Sequence, residues 1–279
     1  MKRRRFLQRA GLAVAGGAGA VAARPAGPLV AAEQAASRVR DGDQRRRVLV
    51  TAADTPLARA LGDGLAEAWP VQLTSPADVQ TRLPFARCEL AADDRTGELV
   101  KGVDSIVHLA LAPAGIALAE QIDSGVRGTY NLFTAAAAAG VRRAVLVSSL
   151  EVMSGYGEVF QVAEDWQPRP PADAPAVAEY LAERVGREFA RQRKLEVVVL
   201  RIGKVVRAES VAGQPFDPWW VDQRDVLQAV SLALGAKQIS YPRGTENWAV
   251  FHILSDSPGA RFSVNKAQAG LGYRPHYRW

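Results

Sequence analysis

The sequence is poor in the residues that build metal centres and disulfide frameworks. It holds one cysteine, Cys88, and three histidines, His108, His252 and His276, all far apart. A single thiol excludes an internal disulfide, and this spacing matches no structural zinc pattern. Long apolar runs are missing as well. The softest stretch, residues 10–23, is short and built mainly of Ala and Gly where a membrane helix would carry Leu, Ile or Phe. Excess charge is also absent outside the N-terminus. Six of the 35 basic residues (Lys2, Arg3, Arg4, Arg5, Arg9 and Arg24) precede the first acid, Glu33, and the other 29 balance the 29 acids. The formal charge of +6 therefore belongs to the leader, and no basic footprint for nucleic acid remains.

What stands at the N-terminus is a run of basic residues followed by Phe6, Leu7 and Gln8 and then the soft apolar stretch. This resembles a twin-arginine export signal, which implies the twin-arginine export machinery as a partner and a periplasmic or extracytoplasmic location. Cleavage is expected after Ala23 or after Ala32, with an uncleaved membrane anchor as the alternative. Residues 1–32 are assigned to the signal peptide. Residues 33–46 are polar and without apolar periodicity, and read as a linker. Residues 47–279 remain for one folded domain.

Within that domain apolar β-branched runs alternate with helical patterns. Strands are expected at 48–51, 71–73, 105–109, 144–147 and 196–202, and helices at 56–68, 128–139, 179–192 and 225–234. Continuous apolar strands separated by helices predict an α/β fold with a doubly wound, Rossmann-type parallel sheet. Beyond Gly203 the pattern loosens into Gly, Pro and Trp, which reads as a small C-terminal substrate lobe from about residue 204.

Several motifs occur in register: the opening strand and loop at 48–58, Gly102 to Ala110, Gly128-Thr129-Tyr130-Asn131-Leu132, Val147-Ser148-Ser149, Tyr180 with Arg184 and Glu188, Arg201-Ile202-Gly203, and Leu271-Gly272-Tyr273-Arg274-Pro275. Together they resemble the extended short-chain dehydrogenase/reductase family of nucleotide-sugar epimerases, dehydratases and uronate dehydrogenases. The resemblance implies NAD or NADP as cofactor and a small hydroxylated substrate such as a sugar. It also implies catalysis by Ser149 and Tyr180, with Arg184 in the place of the family's lysine and supporting the tyrosine. A homodimer through a helix pair that includes the Tyr180 helix is a further implication.

The cofactor residues carried over by the resemblance are Thr51, Ala52, Thr55, Pro56 and Leu57 in the first loop, Glu89 and Leu90, Leu109 and Ala110, Ser148, and Ile202. The loop departs from the family pattern. Its three glycines are replaced by Ala52, Thr55 and Ala58, and Asp54 adds negative charge where phosphates would approach. No acid follows the second strand to choose between NAD and NADP. His108 is either a strand-end histidine or part of the site. Trp219 and Trp220 either line a substrate cleft or pack in the core, and Asp225 is expected to cap its helix. The expected activity is an NAD(P)-dependent oxidoreductase or epimerase; the alternative is a non-catalytic Rossmann-fold binding or scaffold protein.

Overall fold

The computed structural model describes residues 47–110, 117–239, 247–257, 260–277 and 279. The signal peptide and linker expected from the sequence lie outside the described residues. The chain enters the fold as β1 (Arg47–Val50), whose apolar run is buried on both faces. Helix α1 (Pro56–Leu65) follows, started by Thr55 as N-cap and by Pro56, which has no N–H to leave unsatisfied. Next come β2 (Val71–Ser75), β3 (Phe85–Arg87), α2 (Asp94–Leu99) and β4 (Val103–Leu109). Helix α3 (Leu118–Ala139) stops at Gly140, which takes the left-handed conformation at φ 75°. Strand β5 (Arg143–Ser149), helix α4 (Ala174–Arg191) and β6 (Glu196–Ile202) complete the repeat.

The main sheet has seven strands in the order β3-β2-β1-β4-β5-β6-β9, where β9 is Trp248–Ile253, and every pair is parallel. The chain reverses its winding between β1 and β4, the switch point beside which such sheets bind ligands at the strand C-termini. Two apolar layers cover the faces. Val48, Val50, Val145 and Leu200 share one layer with residues of α1 and of the later helix α5 (Gln223–Gly235), while Leu49, Ile106, Leu146 and Val199 share the other with residues of α3 and α4.

After residue 204 the chain does not form one separate lobe. Strands β7 (Lys204–Val206) and β8 (Trp220–Asp222) make a two-stranded parallel sheet. The chain then returns to the main body through α5 (Gln223–Gly235), the sheet-edge strand β9 (Trp248–Ile253) and α6 (Asn265–Leu271). Asp225 is not the cap of α5. Asp222 fills that role, accepting from the Arg224 N–H at 2.8 Å, whereas Asp225 is fully buried and accepts from the His276 and Tyr277 amides at 2.9 and 3.1 Å. It therefore ties the C-terminal segment to α5. Among the described residues no helix is long and apolar enough to cross a membrane.

Candidate functional site

At the switch point lies a small crevice of about 110 Å³, walled by Thr51, Ala52, Glu89, Leu90, Leu109 and Ala110 together with Thr74, Ser75 and Asp54. Six of the eleven cofactor residues expected from the sequence thus meet in one place. The turn that a dinucleotide loop needs is preserved without glycine, because Ala52 itself adopts φ +56°. The helix start is less accommodating. The Thr55 hydroxyl donates to Ala52 O at 2.8 Å and accepts from the Ala58 N–H at 3.2 Å, so it occupies the amide position where a pyrophosphate would sit. Arg59 lies over the loop, donating to the Ala53 and Asp54 carbonyls at 3.2 Å each. Were a dinucleotide bound at this loop, Thr55 and Arg59 would be the side chains beside its phosphates.

Thr51 and His108 lie at the floor of this crevice in a closed chain of hydrogen bonds. The Leu109 N–H donates to Thr51 Oγ1, which lies 2.8 Å from His108 Nδ1; His108 Nε2 lies 2.8 Å from Thr129 Oγ1, which donates to Gly125 O at 2.6 Å. Each hydroxyl has one proton, so the directions are fixed: Thr51 donates to Nδ1 and the Nε2–H donates to Thr129. The ring is neutral, and burial lowers its pKa to about 4. His108 is a satisfied structural histidine.

The remaining cofactor candidates do not line the crevice. Thr55, Pro56 and Leu57 form the helix start beside it. Ile202 is buried in the core cluster, and Ser148 is fully buried with its hydroxyl donating to Glu183 Oε1 at 2.8 Å.

Ser149, one residue on, opens into a separate cleft of about 340 Å³ with Glu151, Gly203, Lys204, Asp217 and Trp219. Its oxygen accepts from the Glu151 N–H at 3.0 Å, which leaves its own proton available to donate into the cleft. Gly203 is required here, because a Cβ at this position would stand 2.3 Å from Trp219 O. Trp219 is half-buried on the cleft, while Trp220 is 4% exposed and packs edge-on against Trp279, so the two tryptophans divide the two expected roles.

The structure does not bring Tyr180 to Ser149. Tyr180 and Arg184 line a different cavity of about 420 Å³, with Trp166, Arg187, Arg201 and Lys266. Glu183, which binds Ser148, lines that cavity as well, three residues on from Tyr180 and so on the same helical face. Glu183 is neutralised by Arg201 through two bonds of 2.9 and 2.7 Å, both side chains being 3% exposed.

Glu179 lies four residues, about 6 Å, nearer the helix start. It is 5% exposed, and its Oε2 has no hydrogen-bond partner. Burial, reinforced by the negative charges of Glu183, Glu151 and Asp173, pushes its pKa up to about 8. Glu179 is thus held as a neutral carboxyl on α4, within the influence of Glu151, which lines the Ser149 cleft. The signal for this pair was available: an Arg inside a buried strand and a Glu between Ala182 and Gly186 on a buried stripe each demand a partner.

A family model described as NAD dependent epimerase/dehydratase family matches residues 57–217, more than half of the chain. The chain belongs to that family. L-arabinose 1-dehydrogenase (NAD(P)(+)) of Haloferax volcanii is 26% identical over 66% of this chain and 78% of that protein. A uronate dehydrogenase of Pseudomonas putida is 26% identical over 67% of this chain and 66% of its own. The crystal structure of uronate dehydrogenase from Agrobacterium tumefaciens superposes with a TM-score of 0.69 at 24% identity, covering 83% of this chain and 85% of that one; a variant of it complexed with NAD gives 0.71. These structural likenesses establish the Rossmann-type fold of this family member.

Proposed function

We propose that the protein is an NAD(P)-dependent oxidoreductase or epimerase acting on a sugar or a similar small hydroxylated compound. The observation that carries this reading is the architecture of the switch point: a crevice between β1 and β4, and a serine with a free proton at the end of the adjacent β5. Glu89 and Leu90 would hold the adenine end of a bound dinucleotide, and Leu109 and Ala110 at the strand end, with Thr55 and Arg59, would lie beside its phosphates. The nicotinamide, when bound, supplies a hydride acceptor or donor. Ser149 donates to the reacting oxygen of the substrate, and the Trp219 ring offers an apolar face to a sugar. The test is a panel of sugars assayed both for dinucleotide reduction and for epimerised product: turnover that falls by about 10²-fold or more in Ser149→Ala is expected, and neither reduction nor epimerisation of any of them would remove the enzymatic reading.

One observation favours a second reading, a non-catalytic binding or scaffold protein. Ser149 lines one cleft while Tyr180 and Arg184 line another, so among the described residues no phenol with an adjacent cation lines the cleft of the serine. A protein of this kind would bind a sugar or a dinucleotide without turnover.

Two further readings complete the proposal. Helices α3 and α4 leave an apolar groove of about 700 Å³ lined by Val126, Tyr130, Leu181, Val185 and Phe189, with Tyr130 55% exposed, which suits a second copy of the chain. Tyr130→Glu should then yield monomers in sedimentation. Export by the twin-arginine route rests on the Arg-rich leader, and replacing Arg3, Arg4 and Arg5 with Lys should retain the protein in the cytoplasm.

A further inference from the structure

The cleft at Ser149 has an unbalanced charge. Among its described lining residues are two carboxylates, Glu151 and Asp217, and one cation, Lys204. Lys204 Nζ stands 3.4 Å from Asp217 Oδ2, so the cation is already matched. Asp217 is also held from the other side, where its Oδ1 accepts the Trp219 N–H at 2.9 Å, and it is therefore fixed at the cleft wall. Glu151 makes no ion pair among the described residues, and its charge acts on the buried Glu179 behind it. Within reach of Ser149 the two carboxylates outnumber the one cation, and Trp219 also lines the cleft.

This combination suits one chemical class. Carboxylates accept hydrogen bonds from the hydroxyls of a polyol, and an aromatic face covers the C–H side of a sugar ring. A carboxylate or phosphate on the ligand meets like charge instead. At about 4 Å from Glu151 it loses about fivefold in affinity even at the dielectric of bulk water, and more in a half-enclosed cleft. Capturing Lys204 would not relieve this, because Asp217 would then be left unpaired beside the new anion.

We infer that the cleft selects an uncharged, polyhydroxylated sugar and disfavours acidic sugars and sugar phosphates, through Glu151 and the Lys204–Asp217 pair. The inference rests on the sugar-oxidoreductase reading given above and goes further by choosing among charge classes. It assigns specificity roles to Glu151, Lys204 and Asp217.

Isothermal titration of the full chain at pH 7 and low salt tests this. The neutral probes are L-arabinose, D-glucose and D-galactose, set beside D-glucuronate, D-galacturonate and D-glucose 6-phosphate. At least one neutral sugar should bind about tenfold or more tightly than its acidic counterpart, a gap reached when one like-charge contact is partly desolvated. Glu151→Gln, an isosteric change at an exposed residue, should narrow that gap several-fold. Tighter binding of an acidic sugar or of the phosphate than of the neutral sugars, or an unchanged gap in Glu151→Gln, would overturn the charge assignment alone. If no sugar of either class binds, the sugar reading itself fails and this inference fails with it.

Discussion

Glu179 gives the sharpest energetic prediction. Its carboxyl has a pKa of about 8 in the folded protein against an ordinary value of 4.5, because it is buried and lies near three other carboxylates. In the unfolded chain it ionises freely above the ordinary value, so every pH unit between the two pKa values favours unfolding by about 1.4 kcal/mol. The sign follows directly: the raised folded pKa means that stability is fully present below about pH 4.5 and is lost as pH rises towards 8. Glutamine keeps the shape and has no ionised form. Glu179→Gln should therefore leave stability near pH 4.5 little changed, raise it by about 3 kcal/mol at pH 7, and raise it most above pH 8. Denaturant unfolding of both proteins at a series of pH values measures this. A variant no more stable than the parent at pH 7, or a difference that does not grow with pH, would refute the placement of a neutral buried carboxyl on α4.

Other perturbations follow from the same geometry. Ala52→Gly removes the cost of a left-handed alanine, a net gain of about 0.5–1 kcal/mol after the extra chain entropy of glycine, visible as a raised melting temperature. Arg201→Leu leaves the Glu183 carboxylate buried and unpaired and should cost about 3–5 kcal/mol in denaturant unfolding. Thr129→Val strips the acceptor from His108 Nε2–H within the closed chain and should cost about 1–3 kcal/mol, with little change in the fold as seen by circular dichroism.

Much of the scaffold could be read from the sequence. The strand at 196–202 reproduces β6, and the apolar runs at 48–51, 105–109 and 144–147 fall on β1, β4 and β5, because a strand buried on both faces has to be continuously apolar. Helix starts were less legible. Helix α4 begins at Ala174 rather than near residue 179, since Asp173 caps it by accepting the Ala176 N–H, and α3 begins ten residues before its Ala-rich half. That difference in α4 matters for the site. Glu179, expected to open the helix, lies inside it, four residues before Glu183, the side chain that accepts from the Ser148 hydroxyl.

The short strand β3 carries little local signal, whereas β9 is an apolar run, Trp248 to Ile253, that was missed in the sequence amid the Gly- and Pro-rich stretch after Gly203. The cofactor loop shows the opposite pattern. Its glycines are absent, yet Ala52 keeps the backbone conformation that glycine would supply, so the turn outlasted the residue type usually used to recognise it.

The central claim is that this altered crevice still holds a dinucleotide. Native mass spectrometry of the full chain, purified without nucleotide and titrated with NAD and with NADP, tests it most directly. The account predicts a one-to-one complex per chain that weakens when Arg59 is replaced by Ala. A protein that remains free of both nucleotides at millimolar concentration would contradict it.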